Sequence, residues 1–172
     1  MHAKNYRPVK GQSYTRREFV KGFPPSKITK FTMGDTKTEF AYEAKLIALE
    51  HAQIRHNSLE AARVASNRIL MDKLVNSYRL DVHPYPHNIL RENKMIFGAH
   101  ADRLQQGMRG SFGRPIGTAA RVKADQTIIT VHVNAEGVET AKVALKRGSA
   151  KLCIPCRITV DKVQSEEAKV VG

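Results

Sequence analysis

The chain has 172 residues, enough for one domain with a real core, and carries 29 Lys+Arg against 16 Asp+Glu for a net charge of +13. It holds no apolar run of about 18 residues and no apolar stretch of the secretory kind at its start, so the expectation is a cytosolic protein that spans no membrane. Two cysteines are too few for a disulfide framework, and the basic excess points to a polyanion, nucleic acid first, because no basic amphipathic helix offers a membrane alternative.

Residues 1–26 show no period. "YRPVKGQSYTRREFVKGFPPSK" mixes basic residues with Tyr6, Tyr14, Phe19 and Phe23 and breaks at Pro24-Pro25, so an extended or looped arm is expected. Its aromatics either stack on bases and sugars or staple the arm to its own domain. "KITKF", 27–31, reads as a short strand. "FAYEAKLIALEHAQI", 40–54, is read as strand through its middle, because no cap precedes it. A helix follows, with Asn57 or Ser58 as cap and Leu59, Ala62, Ala65 and Ile69 as its apolar face. "SYRLDVH", 77–83, alternates like a half-buried strand, and "NILRENKMI" continues as its antiparallel neighbour.

"TAARVK" and "QTIITVHV" look like a hairpin pair. Asn134 caps a second helix, with Val138, Ala141 and Leu145 on one face, and Gly148 ends it. "LCIPCRITV", 152–160, is the last strand, with Pro155 marking an edge or bulge. The expected fold is α+β: a two-layer sandwich of mixed, mostly antiparallel sheet with two helices, plus a basic N-terminal arm and a long glycine-rich loop. The arm spans 1–26, a single globular domain spans 27–163 with its loop at 101–115, and 164–172 form a loose tail.

Charge is unevenly spread. Residues 1–35 carry +6, 36–82 carry +1, 83–123 carry +5 and 124–172 carry +1. The excess falls on the two least regular parts, as in a scaffold presenting basic arms.

Catalytic and metal signatures are weak. Cys153-Ile-Pro-Cys156 is half a zinc site without a second pair, and on a strand residues three apart face opposite ways, leaving Cys156 inside and Cys153 outside. His83 and His87 flank Pro84-Tyr85-Pro86, and the prolines forbid the helix that would align the two histidines on a metal. No P-loop or GxSxG pattern occurs. No catalytic residue, metal or cofactor is therefore assigned.

"ADRLQQGMRGSFGRPIG", 101–117, is the most unusual stretch. Gly107, Gly110, Gly113 and Gly117 let backbone approach another surface, and Arg103, Arg109 and Arg114 can grip phosphates or stack on bases. Asp102 can orient Arg103 or accept from a base or ribose, while Met108 and Phe112 are apolar tips with nothing nearby in sequence to bury them. The physics suggests a loop that orders against nucleic acid.

This stretch resembles the signature of a universal large-subunit ribosomal protein family, in its archaeal and eukaryotic form called ten-e and in bacteria sixteen. "YRPVKGQSYTRREFVKGFPPSKI" resembles its N-terminal arm, "SLEAARVASNRIL" its first helix and "VHPYPHNILRENKM" its central hairpin. The length is similar to archaeal members. His100 departs from the glycine expected before Ala-Asp-Arg. The resemblance implies an α+β sandwich embedded in large-subunit ribosomal RNA near the peptidyl transferase centre, with the loop toward peptidyl-tRNA, late entry into the subunit, and no catalytic role of its own.

On this resemblance the rRNA-binding residues are Arg7, Lys10, Arg16, Arg17, Lys21, Lys27, Arg91 and Lys94. The tRNA-proximal loop residues are Asp102, Arg103, Gly107, Met108, Arg109, Gly110, Phe112 and Arg114. The implied partners are large-subunit rRNA, tRNA acceptor ends and neighbouring ribosomal proteins, with no membrane and no small-molecule substrate, on a cytoplasmic ribosome. The alternatives are a free RNA-binding regulator, or an RNA-modifying or RNA-cleaving enzyme using His83, His87 and Asp102.

Overall fold

The structure, a computed structural model, describes residues 3–9, 17–94, 97–98 and 112–163. Eight strands run in chain order: β1 (Thr32–Gly34), β2 (Tyr42–Ala48), β3 (Ala52–Arg55), β4 (Tyr78–Val82), β5 (Asn88–Glu92), β6 (Arg114–Val122), β7 (Thr127–Val133) and β8 (Cys156–Lys162). A helical turn, α1 (Ala3–Tyr6), precedes the two long helices α2 (His56–Leu74) and α3 (Val138–Ser149). The strands form a five-stranded sheet, ordered β1-β4-β7-β2-β8, and a three-stranded sheet, β3-β6-β5. Every described pairing is antiparallel, in line with the mostly antiparallel sheet expected.

Alternation builds the large sheet. Ala44, Leu46 and Ala48 in β2 and Tyr78, Leu80 and Val82 in β4 turn inward, while Glu43, Lys45, Arg79 and Asp81 turn outward. The helices cover the inner face, α3 over β2, β7 and β8 and α2 beside β4. Leu59, Leu70, Leu145, Val131 and Ile129 meet there in one core. Burying each such side chain stabilises by about 1.5–3 kcal/mol relative to exposure.

Several expectations need correction. "KITKF" is not a strand: β1 starts at Thr32, one residue after the Phe31 carbonyl accepts from Val82 N–H at 2.8 Å. The 40–54 segment is two strands, split between sheets at Leu49–His51. α2 starts at His56 directly from β3, with Arg55 at the cap position and no side-chain cap hydrogen bond, so neither Asn57 nor Ser58 caps it. Its buried face is Leu59, Ala62, Ser66 and Leu70, with α3 packed against Ala62 and Ser66, while Ala65 and Ile69 are only half-buried.

The two expected hairpins are not formed. β5 pairs β6, not β4, because the loop through Pro84 and Pro86 carries the chain into the other sheet. β6 and β7 are likewise consecutive but in different sheets. Asp125 takes φ 59° in the turn between them, and its N–H donates to the Ala48 carbonyl at 2.8 Å. Ala48 N–H donates in turn to the Gln126 carbonyl at 3.0 Å. The β2–β3 and β6–β7 corners are thus bonded together, and the chain crosses between the two sheets at the same point in both, in opposite directions.

Gly148 does not end α3, which runs to Ser149. It lies where α3 crosses α2, and a Cβ there would collide with Ser66 Oγ. Ser66 Oγ itself donates to the Ala144 carbonyl at 3.1 Å. Asn134 precedes a 3-10 turn, Ala135–Gly137, that feeds α3, and its side chain makes no cap bond. The last strand begins at Cys156 rather than Leu152, at the sheet edge beyond Pro155. Cys153 therefore lies outside the strand, the opposite-face argument does not apply, and both thiols are half-buried.

Candidate nucleic-acid interface

The small sheet organises the basic residues. β5 and β6 pair with Arg91 opposite Pro115 and Glu92 opposite Arg114. The end of β5 and the start of β6 therefore lie side by side, and residues 93–113 connect them in sequence. Arg91, Lys94, Phe112 and Arg114, called from sequence as two separate groups, come together at this end. The Arg91 guanidinium carbon lies 5.7 Å from the Phe112 ring centroid. Phe112 is nevertheless 80% exposed, and Lys94 and Arg114 are exposed beside it. Arg114 and Pro115 already belong to β6.

Gly113 makes this approach work. Its φ is 70°, and a Cβ would sit 2.5 Å from the Glu92 carbonyl carbon and 2.6 Å from Asn93 N. Only glycine fits both the left-handed conformation and the contact.

The N-terminal segment is sewn to the opposite edge of the same sheet. Gln53 N–H, on edge strand β3, donates to the Arg7 carbonyl at 2.9 Å. Gln53 Nε2 donates to the Tyr6 carbonyl at 3.1 Å, and Asn88 Nδ2 donates to Gln53 Oε1 at 3.0 Å. Tyr6 OH reaches across to donate to the Arg91 carbonyl at 3.0 Å. Of the two roles open to the arm's aromatics, Tyr6 takes the staple, and burial raises its phenol pKa. Phe19 closes the 3-10 turn Arg17–Phe19 and is 75% exposed. Arg7 forms an ion pair with Glu50 at 2.6 Å, so it is part of the tether as well as a candidate phosphate ligand.

A second tie lies further along the arm. Lys27 N–H donates to His56 Nδ1 at 2.9 Å, at the start of α2. His56 is kept neutral by burial, with Arg55 and Lys27 adding to the downward shift of its pKa. Its Nε2 faces Gly117, where a Cβ would stand 2.9 Å away. His56 thus joins the arm to β6, a role the sequence reading did not assign. The signal for it was a histidine and a glycine far apart in sequence, legible only once the strands are paired.

Several acidic groups among the described residues are neutralised locally. Glu60 pairs with Arg63, Asp81 with Arg79, Glu139 with Lys142, and Lys45 bridges Glu43 and Asp161. Among the described residues no acidic group lies within ion-pair distance of Lys21, Lys27, Lys94 or Arg114. Lys10, Arg16, Asp102, Arg103, Gly107, Met108, Arg109 and Gly110 lie outside the described residues. So does the side chain of Arg17.

Among the described residues the other candidates form no catalytic arrangement. His83 Nε2 lies 2.6 Å from Thr130 Oγ1, an internal contact. Burial pushes both thiols up, Cys156 to about 11, so each is protonated at neutral pH.

A basic α+β scaffold that gathers Arg91, Lys94 and Arg114 at one end of a small sheet presents a surface of the class that suits a polyanion. Comparison with known proteins narrows the class. Residues 9–159 match the family described as Ribosomal protein L16p/L10e, and the chain belongs to that family. It is 50% identical over 157 residues to "Large ribosomal subunit protein uL16" of Staphylothermus marinus, covering 91% of this chain and 90% of that one. The uL16 protein of Sulfolobus acidocaldarius is 49% identical over 166 residues, 95% and 94% of the two chains. That of Methanosphaerula palustris is 45% identical over 161 residues, 93% of each. The chain is accordingly a ribosomal protein, a structural and ribosome-bound constituent of the cytoplasm rather than an enzyme.

Proposed function

We propose that this large-subunit ribosomal protein binds rRNA through its N-terminal arm and the end of its small sheet, near the peptidyl transferase centre. The 101–115 segment, carried on that end, helps position tRNA acceptor ends. The observation that carries the reading is the gathering of Arg91, Lys94, Phe112 and Arg114 where β5 and β6 meet. Its family membership and the +13 net charge support it. The arm adds Lys21 and Lys27, with Arg16 and Arg17 in the same basic run of the sequence.

Cations that neutralise phosphates release counterions, so affinity for rRNA falls linearly on a log–log plot against salt. Each contact removed lowers the slope by roughly 0.7–0.9. Lys94→Ala and Arg114→Ala are each expected to weaken rRNA binding and flatten that slope by about one contact. Unchanged affinity and slope in both variants would place the RNA elsewhere.

A further inference from the structure

The loop between β4 and β5 carries a feature that neither the charge pattern nor the glycine-rich stretch uses. Pro84 and Pro86 are buried. His83 is held twice, through its N–H to the Ile128 carbonyl at 3.0 Å and through Nε2 to Thr130. His87 N–H closes the far side by donating to the Tyr85 carbonyl at 3.0 Å. Between these anchors the Tyr85 side chain is turned outward and is 45% exposed.

Tyr85 is also the middle of three rings. It stacks on half-buried Phe31, with centroids 5.4 Å apart and planes at 26°. The exposed His87 ring sits 4.6 Å from it at a tilt of 47°. Phe31 packs against the hydrophobic core, so the row is rooted inside and ends in solvent.

We infer that Tyr85 and His87 form a stacking site for one unpaired nucleobase. Single exposed aromatics are ordinary on protein surfaces. What differs here is that two prolines, two backbone hydrogen bonds and the Phe31 ring fix the aromatic faces before any ligand arrives, so little entropy remains to be lost on binding. Every base presents a π face to such a platform, and hydrogen-bond readout is not needed. Lys30, next to Phe31, is exposed and has no acidic partner among the described residues, which suits the phosphate attached to a stacked base. The inference rests on the RNA-binding reading above and adds a site that lies apart from the cations gathered at the end of β5.

The test has two arms. In the first, purified large subunits, washed free of tRNA or loaded with it, are irradiated with ultraviolet light, digested, and analysed by mass spectrometry. A nucleotide adduct on Tyr85 or His87 in the tryptic peptide 80–91 is expected, and its RNA mate tells rRNA from tRNA. Nucleotide adducts elsewhere on the chain but none here would overturn the stacking site and leave the RNA-binding reading intact. A crosslink from this peptide to a neighbouring protein would overturn the site in favour of a protein contact.

In the second arm the full chain is titrated with single-stranded oligoadenylate containing one 2-aminopurine. Tyr85→Ala and Tyr85→Leu should each weaken binding about tenfold and relieve the fluorescence quench, whereas Tyr85→Phe should leave both unchanged. Leucine keeps apolar bulk against Phe31, so native-like binding by Tyr85→Leu would overturn the inference. Absence of any RNA binding by the native chain would overturn the RNA-binding reading itself.

Discussion

The guanidinium of Arg91 sits over the ring of Phe112, 5.7 Å from its centroid, and so joins the end of β5 to the start of β6 just where the glycine-rich stretch leaves and returns. The ring is four-fifths exposed, so the pair belongs to the class of surface cation–π contacts that contribute about 0.5–1 kcal/mol. Phe112→Leu should lower the melting temperature by about 1–4 °C, while Phe112→Tyr should leave it unchanged. Equal losses in the two variants would show that the ring contributes through shape and not through its π face.

The crossing of α2 and α3 makes a sharper case. Gly148→Ala adds a methyl against Ser66 Oγ, and overpacking of this kind costs about 1–3 kcal/mol. The next nearest atoms, the Ala62 carbonyl oxygen at 3.5 Å and Ser66 Cβ at 3.7 Å, are at ordinary contact distance. Removing the hydroxyl should therefore reverse the sign. Introduced into a Ser66→Ala background, Gly148→Ala should be neutral or stabilising by up to about 1 kcal/mol, the helix-propensity gain of alanine over glycine. Denaturant unfolding of the four proteins in the cycle measures this directly, and a destabilisation that persists without the hydroxyl would refute it.

His56 and His132 set a pH dependence. Burial lowers both below the ordinary imidazole value of 6.5; at His132 it outweighs the opposite pull of Glu43 and Asp81, with Arg79 and His83 reinforcing it. The unfolded chain then binds more protons than the native one, so stability is fully present above 6.5 and falls as the pH drops through that value. Asn at position 56 keeps an acceptor for Lys27 N–H and does not titrate. Urea midpoints between about pH 8 and pH 5 should therefore fall less steeply for His56→Asn than for the native chain. An identical slope would remove His56 from the explanation.

Much of the fold is legible in the sequence, for identifiable reasons. The alternation of Tyr78, Leu80 and Val82 against Arg79 and Asp81 marks β4 because each inward residue reaches the core and each outward one reaches water. The 101–117 stretch carries its family in its own residues, and the family match bears it out. Strand partners are less legible. Pairing neighbours in sequence works when a tight turn joins them, but Pro84, Pro86 and the Ala48–Asp125 corner redirect the chain between sheets, and those contacts are made between distant residues. Helix starts fail for a related reason: β3 runs straight into α2, so Arg55 occupies the cap position and His56 is engaged by Lys27 from the arm. Within the candidate site, residue types were readable as basic or aromatic. Their division into a staple such as Tyr6, a tether such as Arg7 and outward cations such as Lys94 depends on what the fold places beside each.

Sedimentation of the tagged chain from cell lysate through sucrose gradients at low and at high salt tests the central claim most directly. The chain should travel with large subunits and stay with them through moderate salt, and a chain carrying both Lys94→Ala and Arg114→Ala should be released at lower salt than the native one. A native chain that remains at the top of the gradient at every salt concentration would contradict rRNA docking in the large subunit.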